Sequence, residues 1–576
     1  MKNILSKFGL PALTLLTFFL LLGNRPLNEP DEGRYSEVAR EMIETGHWLV
    51  PHFWYLPHLD KPPLTYWLVA VSMKMFGQNE WAVRLPAALA GISGVWAVFC
   101  LGCALGGRRV GLWSALILQT SLFYWFMGRM LTTDMLLTQA TAWAIYFFWR
   151  SWTALQNEKR REFFAWHLAA WIAIAFGFMA KGPAALAIPV VSFATLVVFR
   201  RKEAPGIIFT GLLAGLALFF VVAAPWFLTV FQQVPNAAHF MIFGQAAGHF
   251  LGTTIKNRSA VPGFYFLMLA WELLPWTLLL GWLWRREHWR SLDAKSKDAW
   301  VLLNACAIFT FILFSLSHSK LATYILPVYP MLAVMLAWRF FGDGREHVPK
   351  IAWRIILAVP FLAPAIFPFI VFFLLHDQAP LWLKCQVPLA VSIVIFVSVL
   401  ARKWQRETIA AVSAGLTLVT FFIIVGEFPL FDFDFKANQP LDQIGRALRK
   451  NFQPGDAVVC WNQLPQGLPF YAGGAISATN RPYFGDMDLT KVPFQFPLNR
   501  ERFGSLYLDE NGLADLLRQN HGTLIVGFGN TVVDFQKDHA DISLRLVAQA
   551  GRWSLYSNDR NPAPGLTAVA GGLLEK

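Results

Sequence analysis

Along this chain long apolar stretches alternate with short polar ones. Runs of roughly 17–24 apolar residues recur, each long enough to cross about 30 Å of hydrocarbon. Backbone in lipid has to satisfy its own hydrogen bonds, so these runs predict helices. Their centres fall near residues 16, 93, 119, 142, 173, 191, 217, 273, 307, 331, 363, 393 and 417, thirteen spans in all. The first run, Phe8 to Gly23, follows Lys2 and Lys7, and no small-x-small cleavage site comes after it. It predicts a retained first helix rather than a signal peptide.

The polar stretches orient the bundle. Arg108–Arg109, Lys159–Arg160–Arg161, Arg200–Arg201–Lys202, Arg285–Arg286 and Arg402–Lys403 recur at every second loop, as cytoplasmic loops do under the positive-inside rule. The N-terminus is then inside, and an odd number of spans puts the C-terminal region outside. The outer segments become 24–80, 127–134, 180–184, 229–262, 317–322, 376–384 and everything after about 427. Segment 24–80 is long for a connection. It predicts an amphipathic helix from Glu32 to Thr45, with Asp31 as N-cap and Gly46 as C′ residue. Pro62 to Phe76 is apolar, short and led by prolines, which suits a segment lying in the interface.

After residue 426 the pattern changes. Leu441–Lys450 reads as a helix, Asp456–Trp461 and Thr523–Phe528 as buried strands, and Leu544–Ala548 and Trp553–Tyr556 as further strands. The expected architecture is a polytopic α-helical membrane domain over 1–426, a small periplasmic α/β domain over 427–560, and a disordered tail over 561–576. No long-period repeat interrupts this plan.

Composition agrees with it. The chain is 56% hydrophobic, above the range of soluble domains. Its 25 Trp and 51 Phe fit interfacial belts and lipid-facing packing. The net charge of +13 would suggest nucleic acid in a soluble protein. Here the cations sit in short loops beside anionic lipid, which excludes that class. Five cysteines give no disulfide framework: Cys100, Cys103, Cys306 and Cys385 fall in or beside apolar runs, and Cys460 is alone.

Candidate chemistry lies in the outer loops. Asp31, Glu32, Arg34 and Glu37 open the first, and Asp60–Lys61–Pro62–Pro63 follows. Asp134 starts the fourth span, Lys181 ends the fifth, and His318 and Lys320 lie between the ninth and tenth. Ionisable groups at membrane depth are costly and pair or line cavities. Lys61, Lys181 and Lys320 could hold a phosphate and stabilise it as a leaving group. Asp31 or Asp134 could stabilise positive charge at a sugar carbon or take a proton from an acceptor. Cations for phosphate and carboxylates for sugar suit transfer from a sugar phosphate. The alternatives are plain ones: Asp31 as a helix cap, each lysine as a snorkelling side chain. His52, His58, His239 and His249 match no zinc spacing, and a divalent metal stays open.

The same residues carry a resemblance. Asn28-Glu-Pro-Asp-Glu-Gly-Arg-Tyr-Ser-Glu-Val-Ala-Arg-Glu-Met42, Gly46-His-Trp48, Asp60-Lys-Pro-Pro-Leu-Thr-Tyr-Trp67 and Ala82-Val-Arg-Leu-Pro86 are similar to the first-loop signature of the ArnT-like glycosyltransferases. These are the 4-amino-4-deoxy-L-arabinose lipid A transferases, related to protein O-mannosyltransferases. Leu131-Thr-Thr-Asp134, Ala180-Lys-Gly-Pro183 and Ser319-Lys-Leu-Ala-Thr-Tyr-Ile-Leu-Pro327 continue the match in order. The resemblance implies a GT-C fold, a bacterial inner-membrane location, a polyprenyl-phosphate sugar donor, inversion at the anomeric carbon and lipid A as acceptor. It implies Asp31 and Asp134 as the two acidic positions and Lys61 and Lys181 as cations at the donor phosphate. Lys320 is grouped with these cations, and Glu32, Arg34, Tyr35, Asp60, Arg84, His318 and Tyr324 support the site. One stretch departs: Gly244-Gln-Ala-Ala-Gly-His-Phe250 stands where lipid A transferases carry a Glu-His-like pair followed by Arg-Phe. Transfer to a protein or another glycan or lipid remains the alternative within this chemistry. A transporter is the alternative outside it, but inverted repeats are missing and the charges cluster on one side.

Overall fold

A computed structural model describes residues 2–200, 206–248, 260–261, 263–342, 350–358, 399, 401–426, 441–487, 496–520 and 522–558. The span centres at 363 and 393, segment 376–384, Cys385, His249 and the tail from 561 lie outside the described residues. The chain divides into two compact units. One comprises Met1–Pro26, Val38–Phe53 and Pro57–Phe433; the other comprises Leu27–Glu37, Trp54–Leu56 and Asp434–Lys576.

The first unit is helical: α1 (Lys2–Phe19), α2 (Asp31–Thr45, from Val38 on), α3 (Leu64–Phe76), α4 (Glu80–Gln119), α5 (Leu122–Met127), α6 (Thr133–Gln156), α7 (Arg160–Lys181), α8 (Ala184–Phe199) and α9 (Gly206–Gln233), then helices Ala294–Leu316, Val328–Phe341 and Arg406–Gly426 among others. Among the described residues four helices are long and apolar enough to cross a membrane, α4, α7, α9 and Ala294–Leu316. The pair Phe264–Glu272 and Trp276–Leu283 is apolar too but bent by 110°, the shape of a broken span or a re-entrant loop. The thirteen spans read from hydropathy are not reached there, for two physical reasons. Several of the apolar helices are short, such as α8 and Val328–Phe341. The run centred at 273 is broken at Leu274–Pro275, where proline removes a backbone donor.

The 40-residue α4 is two segments. Gly107 sits at φ 78°, where a side chain is strained. The chain turns back there, and a Cβ on Gly102 would stand 2.8 Å from the Gly111 Cα. The glycine pair thus separates the runs centred at 93 and 119. Helix α6 packs on α7, α4 on Val328–Phe341, α7 on α9, and α8 on Ala294–Leu316. Helix α3 leaves Val71, Met75 and Phe76 exposed, an apolar edge of the kind an interfacial helix turns to lipid.

The second unit is built on six strands: β3 (Ala457–Trp461), β4 (Tyr483–Gly485), β5 (Tyr507–Leu508), β6 (Thr523–Phe528), β7 (Arg545–Ala550) and β8 (Trp553–Ser557), in the order β5-β4-β3-β6-β8-β7. (The short strands β1, His52–Phe53, and β2, Leu56–Pro57, lie in the first loop.) The β3–β4, β3–β6 and β4–β5 pairs are parallel; β8 runs antiparallel to β6 and β7. Every residue of β3 is buried, as expected of a central parallel strand covered on both faces. Val459, Trp461 and Ile525 meet Leu513, Leu517, Val532 and Phe535 from two helices, while helix Leu441–Asn451 packs against β7 and β8. Strands β4 and β5, of three and two residues, were not expected from the sequence. Nor was the inclusion of first-loop residues in this unit.

Candidate functional site

In the first unit a cavity of about 560 Å³ opens among α7, α8, α9 and the segment Leu59–Pro62. Its charged lining residues are Asp60, Lys61 and Lys181, and Tyr324 lines it too. The remainder is apolar, walled by Phe178, Phe219, Phe220, Phe227 and Phe231, with Ala223 and Ala224 leaving room between the rings. Of the α9 phenylalanines expected to face lipid, Phe219, Phe220, Phe227 and Phe231 line this cavity, while Phe209 does not and is 62% exposed.

Helix ends set the polar groups. Lys181 is the last residue of α7, and Gly182 follows it at φ 88°. Asp134 lies in the first turn of α6, where the helix dipole favours an anion. The two side chains form an ion pair, each only 9% exposed. The Lys181 Nζ also stands 4.6 Å from the centre of the Tyr324 ring, an attraction between cation and aromatic face. Lys61 donates to the Asp60 carbonyl at 3.0 Å. Asp60, Lys61, Asp134, Lys181 and Tyr324 are thus brought together, directly at the cavity or through Lys181.

Other expected residues stand elsewhere. Lys320 does not line the cavity; its Nζ donates to the Ser317 carbonyl at 2.7 Å, and Ser317 does line it. His318 is exposed. Arg84 is fully buried and donates to the carbonyls of Leu22, Arg25 and Pro26 at 3.0, 2.8 and 2.7 Å, so it anchors the start of the first loop. Sequence reasoning missed Gln245, which reaches the cavity from a π-helical segment, Phe240–Ala247. Such π turns concentrate at functional sites. It also missed the buried pair in which Tyr329 donates to Glu272. Among the described residues no three His, Cys, Asp or Glu side chains gather as metal ligands would.

Asp31, Glu32, Arg34 and Tyr35 belong to the second unit. Helix α2 begins at Asp31 rather than after it, so Asp31 is a first-turn residue and not the expected cap. Its carboxylate pairs with Arg34, three residues on, whose guanidinium also stands 5.5 Å from the Tyr35 ring centre. Glu32 is buried and accepts from the Asn28 amide at 2.9 Å. Within this unit the segment 27–33 is held by the loop after β3. Glu29 Oε1 accepts from the Gly467 amide at 2.7 Å, and the Leu27 amide donates to the Tyr471 hydroxyl at 2.8 Å. Glu29 is half-buried as a residue, but its carboxyl is enclosed: a Cβ on Gly33 or Gly467 would collide with it. Desolvation pushes its pKa up to about 8, against the lowering pull of Gly467, Arg34 and Gln466. Glu29 lies inside the Asn28–Met42 motif, where sequence reasoning missed it.

Residues 60–228 match the family model described as dolichyl-phosphate-mannose-protein mannosyltransferase. The chain is 34% identical over 340 residues to the undecaprenyl phosphate-alpha-4-amino-4-deoxy-L-arabinose arabinosyl transferase of Edwardsiella ictaluri, covering 58% of this chain and 60% of that protein. It is 33% identical over 356 residues to the protein of the same name from Aeromonas salmonicida, covering 61% and 63%. The matched region spans about three fifths of the length of these curated relatives. Among solved structures, ArnT from Cupriavidus metallidurans bound to undecaprenyl phosphate superposes with a TM-score of 0.79 at 21% identity, over 96% of this chain and 99% of that one. That likeness shows the fold.

Proposed function

We propose, from the premise that this chain is ArnT-like in sequence and in fold, that it is an inverting glycosyltransferase. It moves a sugar from polyprenyl phosphate to an acceptor at the periplasmic face of a bacterial inner membrane, with lipid A as acceptor. The observation that carries this reading is the cavity itself: a phenylalanine-walled space ending in two lysines. An isoprenoid chain suits the apolar part, and a phosphate suits the lysine end. Undecaprenyl phosphate, the ligand named for the Cupriavidus protein, has both parts.

In this reading Lys61 and Lys181 stabilise the leaving phosphate as its bond to the anomeric carbon breaks. Asp134 holds Lys181 in place through their buried ion pair. Asp31 is the carboxylate that stabilises positive charge at the sugar carbon. A lipid A phosphate acceptor is already ionised at neutral pH and needs little help from a base. The lysines offset the phosphate charge. Tyr324 and Asp60 shape the charged end. The C-terminal unit is periplasmic and holds segment 27–33, the start of the Asp31 helix.

Mass spectrometry of lipid A and surface glycans, with and without the gene, tests the reading. A mass increment of one amino-deoxypentose on a lipid A phosphate, present only with the gene, is the expected result. An increment on a protein or another glycan instead would keep the donor and replace the acceptor. No change in any glycan would remove the assignment.

A further inference from the structure

A second cavity, of about 480 Å³, lies along the first half of the helix Ala294–Leu316. Trp300, Asn304 and Ile308 line it, whereas Leu313 and Phe314 near the other end of the same helix line the lysine cavity. At 1.5 Å per residue, Trp300 and Phe314 are about 20 Å apart along the helix. The rim of the second cavity carries Arg285, Arg286 and Arg290.

This end of the bundle holds a buried charge, and it is paired. Arg200 Nε donates to Asp298 at 2.6 Å, and Asp298 also accepts from Trp152 and Gln156 at 3.0 and 3.1 Å. The three arginines are exposed and make no ion pair among the described side chains, to which the Glu287 side chain does not belong. Three cations on one cavity attract an anion. The wall also carries tryptophans and aliphatic side chains. Trp284, half exposed, gives its Nε1–H to Asn304 at 2.6 Å, and Ile308 is 49% exposed. Exposed arginines, tryptophans and an exposed isoleucine on one cavity are the residue types of a membrane interface. From Trp300 to Ile308 the helix runs about 12 Å, enough to pass from headgroup to acyl chain.

We propose that this cavity binds the phosphate of an anionic glycerophospholipid from the surrounding membrane, with an acyl chain along Ile308. The three guanidinium groups surround the phosphate, and the indoles of Trp284 and Trp289 flank the glycerol. The site is distinct from the lysine cavity, and its occupant is a structural or modulatory lipid, not a donor.

The test uses the full chain in nanodiscs of phosphatidylcholine carrying a minority of phosphatidylglycerol. Retained phosphatidylglycerol is counted by mass spectrometry after lipid exchange. Arg285→Ala, Arg286→Ala and Arg290→Ala each lower retention about fivefold, the worth of one interfacial cation; the triple variant abolishes it, and Arg286→Lys keeps most of it. The control is Arg160→Ala/Arg161→Ala, two exposed cations at the start of α7, which leaves retention unchanged. Melting in pure phosphatidylcholine discs checks folding, and the single variants carry the test should the triple variant fail there. Equal losses in the control would mean diffuse surface attraction and overturn the site. So would unchanged retention in the arginine variants, or displacement of the lipid by millimolar inorganic phosphate.

Discussion

Asp134 and Asp31 are the same residue in the same local setting, the first turn of a helix, yet their surroundings differ. Asp134 is 9% exposed and faces a lysine equally buried. The Asp31 side chain is 38% exposed and pairs with an arginine of its own helix. A buried ion pair recovers its desolvation cost only while both partners are present, so losing one leaves an expensive lone charge. Asp31 keeps contact with water although its partner Arg34 is only 8% exposed, so its charge carries a smaller desolvation cost than that of Asp134. Asp134 is therefore bound more tightly into folding than Asp31. In the proposed reaction this divides the labour: Asp134 maintains the cation at the phosphate, and Asp31 meets the sugar.

The largest effect expected from this contrast is at Lys181. Lys181→Ala leaves Asp134 buried without its partner and should cost about 3–5 kcal/mol of stability, along with turnover. Adding Asp134→Asn to Lys181→Met should restore the melting temperature but not the activity. Recovery of activity in that double variant would make the pair purely structural.

Next comes Asp31→Asn. Melting should shift less than in Lys181→Ala, because the Asn oxygen can still accept from the buried Arg34 guanidinium, while turnover falls by a factor of about 10²–10⁴, the usual weight of one catalytic carboxylate. Near-normal turnover would reduce Asp31 to a partner of Arg34 and leave Asp134 as the carboxylate to pursue.

A pH-dependent effect on stability alone is expected at Glu29. Its pKa is raised to about 8 in the folded chain, above the ordinary glutamate value near 4.3. The folded state then holds a proton that the unfolded state releases. The stabilisation is full below about pH 4.3 and declines as pH rises, levelling off beyond about pH 8. Glu29→Gln cannot ionise and should flatten that decline in the melting temperature. A variant whose melting temperature falls with pH as steeply as the wild type would show that other groups set it.

Much of the charged end was legible in the sequence. Lys61, Asp134 and Lys181 announce themselves because ionisable residues bordering apolar runs need a reason to be there, and an ordered set of motifs surrounds them. Tyr324 came with the Ser319–Pro327 motif. The apolar wall was not legible: a phenylalanine lining a cavity and one facing lipid have the same hydropathy, and only the placement of Ala223 and Ala224 in three dimensions separates them. The break at Gly106–Gly107 could be read from two adjacent glycines, whereas Pro275 within a continuous apolar run did not reveal a 110° bend. Strands β4 and β5 are too short to show a period. The least visible feature was the partition of the first loop. Segment 27–33 is held in the second unit by the loop after β3, near the carboxyl end of a strand whose neighbours β4 and β6 follow it on opposite sides. Parallel sheets commonly bind ligands at such a point, and here a piece of the same chain occupies it.

The claim on which the rest depends is that the lysine cavity holds a lipid phosphate. Equilibrium binding of undecaprenyl phosphate to the purified chain, wild type against Lys61→Ala, tests it most directly. Losing one charge-assisted contact to the phosphate should weaken binding by about 10- to 100-fold, while undecaprenol, with no phosphate, binds both proteins equally weakly. Equal affinity of the two proteins for undecaprenyl phosphate would contradict the assignment and leave Lys61 as a cation resting at the membrane surface.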